Sequence, residues 1–347
     1  MAVILKDWFR YRRLLMGDDK QYLGLCNRYE KLEISDDGSG YRCLWKWTSD
    51  LHAPQYLPYL GKWLMRRALE DHPVVRAVSP IGQGAKPEIS FIIGHRGLDR
   101  LPHLLSTLEG IAGQNVAVEC IVVEQDVESR IADKLPAWVR HILTRPPVAN
   151  MPYCRSWTFN VGAKFAMADI IVLHDNDMLV PADYAACIIE KIRDDYEVVN
   201  LKRYIFYLNK SHTAKVFVDK NALLYEAPQS IMQNSEGGGS IAITKKAYES
   251  IGGFDEGFIG WGGEDSEFWE RAQTLRVWSY ANLPILHLWH EPQLEKNIKD
   301  AAGKKRFIEL HKKPVQERIK LLRARMIKVE ENALGIHGVD IGRNFHD

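Results

Sequence analysis

The sequence has few cysteines and lacks any long apolar run. Its five cysteines among 347 residues are scattered, odd in number, and form no C-x-x-C pair. This pattern argues against a zinc ribbon and a disulfide framework, and it suits a reducing compartment. Apolar stretches are too short for a membrane span, and the apolar start is too short for a signal peptide. We therefore expect a cytoplasmic protein.

The sequence also lacks an excess of charge of either sign. The 46 Lys and Arg residues oppose 45 Asp and Glu residues, which gives a formal net charge of +1. This balance disfavours a nucleic-acid partner and a disordered acidic tail. The aromatic and basic residues 8–15 predict a surface helix. As an alternative, they could contact anionic lipid peripherally at the inner membrane face.

Three regions of the chain differ in pattern. Residues 1–87 predict an N-terminal α+β subdomain of unknown role, in which the alternating residues 31–35 and 41–47 on either side of Asp36-Asp37-Gly38-Ser39-Gly40 predict a β-hairpin. Residues 88–296 alternate strand and helix signals and predict an α/β domain. Residues 297–347 predict a C-terminal extension of charged helices, interrupted at Pro314, and a polar tail.

The middle region has the pattern of a parallel sheet. Apolar runs at residues 88–94, 116–123 and 168–173 are typical of buried strands. Helical spacing at residues 101–111 and 156–167 separates them, which predicts right-handed crossovers and a mainly parallel central sheet. Ligands of such sheets bind beyond the carboxyl ends of the strands. The polar residues that follow the strands are Gly94-His95-Arg96, Glu124-Gln125-Asp126 and Asp175-Asn176-Asp177.

The segment Asp175-Asn176-Asp177 is a D-x-D motif after an apolar strand. Two carboxylates one residue apart supply hard oxygen ligands for a divalent ion that also binds phosphates. A polar turn after a strand can contain the same residues, so the motif alone is weak evidence for a metal site. Its place at a strand end favours a metal.

The segment Gly260-Trp261-Gly262-Gly263-Glu264-Asp265 is more specific. Glycines permit tight backbone and close ligand approach, and Trp261 offers a flat face for a sugar ring. A capped helix start would explain Glu264 and Asp265, since the helix dipole favours acids there. It would not explain Trp261 between glycines.

The segment His287-Leu288-Trp289-His290 follows another apolar run. A lone histidine is most often structural, but two imidazoles three residues apart can share a metal ion. In a chain with a D-x-D motif, they favour a ligand role for at least one of the two.

Together these motifs resemble the metal-dependent glycosyltransferases with the GT-A fold. The similarity is greatest to the β-1,4-galactosyltransferases of family 7, and it extends more distantly to polypeptide N-acetylgalactosaminyltransferases and family 2. It covers about residues 88–292 and includes Phe159-Asn160-Val161-Gly162 and Gly237-Gly238-Gly239-Ser240. The W-G-G-E-D segment is its specific part.

The resemblance implies a metal site. Asp177 and His290 match ligands of Mn²⁺ or another divalent ion, and Asp175 would lie near the ribose or a metal-bound water. His287 stands where the family has a methionine ligand, so it could replace that thioether or orient a neighbour.

The resemblance also implies roles around the substrates. Asp265 matches the catalytic base, Glu264 the acceptor-binding acid, and Trp261 the mobile residue of the donor loop. Arg96 and Arg155 would meet the diphosphate or uracil, and Glu124 or Asp126 the nucleoside. The other implied donor or acceptor contacts are Asn160, Gly238, Gly239, Gly262 and Gly263.

The implied function is inverting transfer of a hexose from a UDP-sugar to a hydroxyl of a glycan acceptor. The hexose is galactose, N-acetylgalactosamine or glucose. The expected setting is bacterial surface polysaccharide synthesis, with glycan or lipid-linked glycan acceptors. One alternative is a retaining enzyme of the same fold, although such enzymes usually carry Asn where this chain has Asp265. The other is a non-catalytic module that binds sugar nucleotides or glycans.

Overall fold

The fold is that of a computed structural model, which describes residues 2–16, 20–27, 30–44, 49–233, 237–292, 301–332 and 339–341. The helices are α1 Ala2–Met16, α2 His52–Tyr56, α3 Pro58–Asp71, α4 Leu101–Ala112, α5 Arg155–Phe165, α6 Tyr184–Arg193, α7 Lys210–Val218, α8 Lys245–Ser250, α9 Glu264–Ala272, α10 Ala302–His311 and α11 Val315–Asn332. The strands are β1 Leu32–Ile34, β2 Tyr41–Cys43, β3 Ser49–Asp50, β4 Ile89–His95, β5 Val118–Gln125, β6 Arg140–Thr144, β7 Ile170–His174, β8 Met178–Leu179, β9 Val198–Val199, β10 Lys202–Tyr207, β11 Ser230–Gln233, β12 Ser240–Thr244, β13 Val277–Trp278, β14 Leu283–His287 and β15 Val339–Ile341.

The main sheet has eight strands in the order β13-β9-β12-β7-β4-β5-β6-β15. Its centre, from β7 through β4 and β5 to β6, is parallel. The predicted α/β class is therefore confirmed. The sheet is more mixed than the sequence indicated, because β12 pairs antiparallel with both β7 and β9. Short two-residue strands such as β9 leave too weak a pattern to be read from sequence.

Helices cover both faces of this sheet. Ile89, Phe91 and Ile93 of β4 share one core cluster with Leu104 of α4 and Ile188 of α6. On the opposite face, a second cluster joins Ile92, Phe159 of α5, Tyr248 of α8 and Phe268 of α9. The alternation along β4 follows from the two-residue period of a strand. The predicted helices α4 and α5, and the pair α10 and α11 on either side of Pro314, are confirmed.

A second sheet lies beside the first, in the order β3-β11-β10-β14-β8. Leu60 and Leu64 of α3 pack in one cluster with Tyr204 and Phe206 of β10 and Leu286 of β14. The N-terminal region thus contributes both a strand, β3, and a helical layer to this sheet. The boundaries predicted at residues 87 and 296 stay predictions.

The hairpin predicted in the N-terminal region is present as β1 and β2, with Glu33 opposite Arg42. Residues 45–47 of the predicted second strand, and residues 336–338 and 342–347 of the predicted tail, lie outside the described residues. Among the helices that the structure describes, none combines the length and apolar character needed to cross a bilayer.

Candidate active site

Three neighbouring strands bring their carboxyl ends to one edge of the main sheet. β7, β4 and β5 are adjacent and parallel, with Ile93 opposite His174 and His95 opposite Glu124. The D-x-D segment follows β7 directly. The polar strand ends therefore meet where ligands of open α/β sheets bind, as the sequence predicted.

Asp177, His287 and His290 converge at this edge. Their ligand atoms all lie within 4.8 Å of one another. His290 Nε2 is 3.3 Å from Asp177 Oδ2, and His287 Nε2 is 3.9 Å from Asp177 Oδ1. Strand pairing explains the convergence, because His287 at the end of β14 lies opposite Met178 in β8. The predicted metal residues are thus brought together from distant parts of the chain.

The surroundings of Asp177 suit a bound cation. Its side chain is 5% exposed, and Oδ1 has no hydrogen-bond partner among the described residues. Burial by itself would raise the pKa of Asp177, but His287, His290 and Arg100 outweigh it and lower that pKa. Burial lowers the pKa of His290, which favours the neutral imidazole that a metal needs. One carboxylate and two imidazoles fit a divalent first-row transition ion.

Two residues that the sequence analysis missed surround the triad. Arg100, just before α4, donates from Nη1 to Asp177 Oδ2 at 2.9 Å, and its Nη2 lies 2.9 Å from His290 Nδ1. Tyr207, the last residue of β10, stacks on His287 with ring centroids 4.4 Å apart. Arg100 lies in the loop after the first strand of the sheet, and that position was the available signal.

Arg155 links the D-x-D segment to the W-G-G-E-D motif. Its Nε and Nη2 lie 2.8 and 2.6 Å from Asp175 Oδ1, and its Nη1 pairs with Asp265 Oδ1. Glu264 Oε1 is 3.8 Å from the same Nη1. Asp175 therefore faces Arg155 rather than the triad around Asp177, and the two acids of the D-x-D motif serve different clusters.

Three carboxylates around one guanidinium leave excess negative charge at a buried site. Burial, helped by Asp265, raises the pKa of Glu264 to about 7. Burial also raises the pKa of Asp175 to about 6, although Arg155 opposes the shift. Glu264 Oε2 is buried and has no hydrogen-bond partner among the described residues. Near neutral pH this cluster can exchange a proton, as acid–base chemistry requires.

The Trp261 loop borders an open groove of about 540 Å³. Gly260, Gly262 and Gly263 have φ values of 80°, 102° and 92°, a region in which glycine is not strained. Gly263 immediately precedes α9, so Glu264 and Asp265 open that helix beside the groove. The groove is lined by Gly237, Gly238, Trp261, Gly262, Gly263, Glu264, Asp265, Ser266, Lys304, Phe307 and Ile308.

The predicted glycines Gly238 and Gly239 lie beside Asp265 and Asp175, respectively. A Cβ on Gly238 would lie 3.0 Å from Asp265 Oδ2. The Gly239 carbonyl accepts a hydrogen bond from Asp175 N at 2.8 Å. The structure therefore places both glycines beside the predicted catalytic residues, and their donor contacts stay predictions.

The predicted nucleoside contacts Glu124 and Asp126 are held by nearby protein groups. Glu124 is completely buried and accepts hydrogen bonds from Ser129 Oγ and Arg130 N, both at 2.8 Å. His141 Nε2 lies 2.8 Å from Glu124 Oε2, the same oxygen that accepts from Ser129. Asp126 Oδ2 accepts from Arg130 Nε at 3.0 Å. Their roles toward a nucleoside stay predictions.

Arg96 and Asn160 stabilise loops at the edge of the site. Arg96 Nη1 donates to the Met151 carbonyl at 2.5 Å. Asn160 Oδ1 accepts from Tyr248 Oη at 2.5 Å and from Phe254 N at 2.9 Å. Asn160 thereby fixes the segment that leads into the Trp261 loop, and direct donor contacts of both residues stay predictions.

Comparison with known proteins points to one family. Residues 228–280 match the family model described as the N-terminal domain of galactosyltransferase. The beta-1,4-galactosyltransferase 5 of Danio rerio is 31% identical over 128 residues, which are 36% of this chain and 27% of that protein. The chain thus spans about a quarter of the length of the curated relatives it matches. The predicted resemblance to the family 7 enzymes is confirmed.

Two solved structures are similar at lower identity. The catalytic domain of Drosophila beta1,4galactosyltransferase 7, solved with xylobiose, is 18% identical with a TM-score of 0.36. The match covers 66% of this chain and 83% of that one. A mannosyltransferase from Pyrobaculum calidifontis, solved with GDP-Man and Mn²⁺, is 16% identical with a TM-score of 0.41, over 82% of this chain and 86% of that one.

Proposed function

We propose that this chain is an inverting, metal-dependent glycosyltransferase with the GT-A fold. It transfers a hexose (galactose, N-acetylgalactosamine or glucose) from a UDP-sugar to a hydroxyl of a glycan acceptor. The observation that carries the proposal is the convergence of Asp177, His287 and His290 at a sheet edge where Arg155 also holds Asp265. The similarity of residues 228–280 to galactosyltransferases supports the same reaction class.

Asp265 is the proposed proton acceptor. A sugar hydroxyl is a weak nucleophile at neutral pH, and a carboxylate within hydrogen-bond reach takes its proton as the new bond forms. Asp265 is half-buried at the groove, and Arg155 fixes its orientation. Attack in line with the departing diphosphate inverts the configuration of the anomeric carbon. Glu264 beside it forms hydrogen bonds with the acceptor sugar.

Asp177, His287 and His290 would hold a divalent ion such as Mn²⁺, which when bound stabilises the negative charge of the departing diphosphate. Arg96 and Arg155 are the proposed cationic contacts of the donor. Trp261 covers the donor sugar and excludes water, which would otherwise hydrolyse the donor.

The first test is a screen of UDP-sugars by thermal shift, with and without Mn²⁺. A ligand that binds the folded chain raises its melting temperature by mass action. We expect one UDP-hexose to stabilise the chain in the presence of Mn²⁺ only. Stabilisation that does not depend on Mn²⁺ would contradict the metal part of the proposal.

The second test measures transfer with the selected donor. UDP release with a panel of glycan acceptors should fall at least a hundredfold in Asp265→Asn, while donor-induced stabilisation is kept. Proton NMR of the product should give the inverted anomer. A retained anomer would indicate the retaining alternative. Donor binding without UDP release in the parent chain would indicate a binding module.

We also propose a cytoplasmic location, with peripheral contact at the inner membrane face. Phe9 and Trp8 of α1 are 73% and 48% exposed, and Arg12 and Arg13 are exposed on the same helix. Aromatic and basic side chains on one surface helix favour an anionic interface. Binding to phosphatidylglycerol vesicles should be lost in Arg12→Glu/Arg13→Glu and kept in Arg193→Glu. Equal binding of both variants would argue against the contact.

The proposed setting is bacterial surface polysaccharide synthesis with a lipid-linked glycan acceptor. A membrane-bound acceptor is the reason to expect α1 at a lipid surface. Transfer to a lipid-linked acceptor in vesicles, but not to the free glycan, would support this setting.

A further inference from the structure

The side chain of His290 makes two contacts that exclude each other. Its Nδ1 lies 2.9 Å from Arg100 Nη2, and the same Nδ1 lies 2.8 Å from the Glu291 carbonyl oxygen. A guanidinium can only donate, so Nδ1 must accept in the first contact. A carbonyl can only accept, so Nδ1 must carry the proton in the second. One nitrogen of a neutral imidazole cannot do both.

Each contact requires a different tautomer of His290. When Arg100 donates to Nδ1, the proton sits on Nε2, which lies 3.3 Å from Asp177 Oδ2. Nε2 then has no lone pair for a metal ion. When Nδ1–H donates to Glu291, Nε2 has a free lone pair that faces Asp177. An outer hydrogen bond from the second ring nitrogen is the usual way in which a protein fixes a metal-binding tautomer.

Arg100 also binds the carboxylate of Asp177, the residue that would share the metal ion with His290. Its Nη1 donates to Asp177 Oδ2 at 2.9 Å. A carboxylate that is 5% exposed is costly without a positive partner, and the guanidinium supplies one. The Arg100 side chain is itself 26% exposed, which leaves it room to move aside.

We propose that Arg100 competes with the divalent ion for Asp177 and His290, and that it does so by selecting the tautomer of His290. With an ion bound, the imidazole proton would sit on Nδ1 instead of Nε2, both contacts of Arg100 would be broken, and Nδ1–H would donate a hydrogen bond to the Glu291 carbonyl oxygen. Arg100 is thus a positioning residue that neutralises Asp177 until the ion arrives. This inference rests on the metal site of the proposed function.

The test is the Mn²⁺ affinity of the full chain, measured by electron paramagnetic resonance of free Mn²⁺. Arg100→Met removes the guanidinium and keeps a side chain of similar length. We expect it to bind Mn²⁺ about tenfold more tightly, since charge-assisted hydrogen bonds no longer have to be broken. Arg100→Lys should fall between the two, because a single ammonium cannot reach both partners. Arg193→Met, at an exposed arginine of α6 that pairs with Glu88 and lies outside the candidate site, is the matched control and should leave the affinity unchanged.

A second readout is the tautomer itself. Long-range ¹H–¹⁵N spectra of His290 should show the Nε2–H form in the metal-free parent chain and the Nδ1–H form in Arg100→Met. Adding Zn²⁺, which is diamagnetic, should convert the parent spectrum to the Nδ1–H form.

The outcomes separate this inference from the proposed function. Equal or weaker Mn²⁺ binding by Arg100→Met, with measurable binding by the parent, would overturn the competition and leave the metal site standing. Binding by Arg100→Met alone would support the competition and overturn metal dependence of the natural chain. Absence of binding in both chains would overturn both.

Discussion

At the scale of single residues, the charge balance around Arg155 decides the chemistry of the site. Asp175, Glu264 and Asp265 share this one cation. Glu264 is the most buried of the three acids, so it retains a proton most readily, and its pKa rises to about 7. A protonated Glu264 beside an ionised Asp265 would let one acid donate a hydrogen bond while the other accepts the proton of the hydroxyl.

Glu264→Gln should therefore change how stability depends on pH. Because the folded pKa lies above the ordinary value of 4.5, the folded chain holds a proton that the unfolded chain releases. The parent chain thus loses the stability contributed by protonated Glu264 as pH rises from about 4.5 to 7, and the glutamine variant lacks this loss, while the contribution of Asp175 is common to both chains. We expect urea unfolding to show the variant gaining about 1–3 kcal/mol on the parent across this window.

The control for this prediction is Glu309→Gln, at an exposed position of α10. It removes the same formal charge without removing a buried acid. A constant difference between Glu264→Gln and the parent from pH 4.5 to 7 would mean that Glu264 ionises normally.

At the scale of elements, the C-terminal helices α10 and α11 stabilise α9 and the W-G-G-E-D motif at its start. Arg318 of α11 is 3% exposed and lies 3.2 Å from Glu267 and 2.7 Å from Glu270, both on α9. Arg306 of α10 bonds Asp255 at 2.6 Å, in the segment before the Trp261 loop. These helices had no function that the sequence could assign, and their packing gives them a supporting one.

Gly303 at the start of α10 packs tightly against the backbone of the Trp261 loop. A Cβ there would lie 2.0 Å from the Gly262 carbonyl oxygen and 2.9 Å from that of Trp261. Helix propensity alone predicts that Gly303→Ala stabilises the chain by about 0.5–1 kcal/mol. The backbone clash outweighs this gain, because neither carbonyl can move without displacing the loop.

We expect Gly303→Ala to lower the free energy of unfolding by about 1–3 kcal/mol, the usual cost of overpacking. UDP release should fall more than tenfold, since the loop carries Trp261. Urea titration and the transfer assay measure the two effects. Glu309→Ala on the exposed face of α10 should change neither, and a stabilised, fully active Gly303→Ala would refute the contact.

At the scale of the whole molecule, the sequence predicted the centre of the fold better than its periphery. β4, β5 and β7 are mostly apolar runs, so their burial and parallel arrangement could be predicted, and with them the edge where Asp175 and Asp177 lie. Family motifs supplied Asp265 and His290. The role of Arg100 was missed, because one arginine in a loop forms no motif and only its position after β4 pointed to the site. The second sheet was missed because its edge strands β3 and β8 have two residues each and its five strands come from distant parts of the chain.

In the N-terminal region, predicted to be a subdomain, helix α3 packs into a core that it shares with the second sheet. Leu64 is fully buried in one cluster with Phe206 and Leu286 of the second sheet. β14, which contains Leu286, ends at His287 of the candidate metal site. Loss of packing at Leu64 should therefore loosen β14, the strand that positions His287, although Leu64 is remote from His287 in sequence.

We expect Leu64→Ala to lower the stability of the whole chain by about 2–5 kcal/mol, as for other fully buried leucines. Because the cluster joins both regions, unfolding should stay a single transition, with tryptophan fluorescence and far-ultraviolet circular dichroism giving the same midpoint. Leu321→Ala, at an exposed leucine of α11, is the matched control and should change stability little. If Leu64→Ala separated the two probes into distinct transitions, residues 1–87 would instead fold as an independent unit, and the shared core would not couple them to the strand that ends at His287.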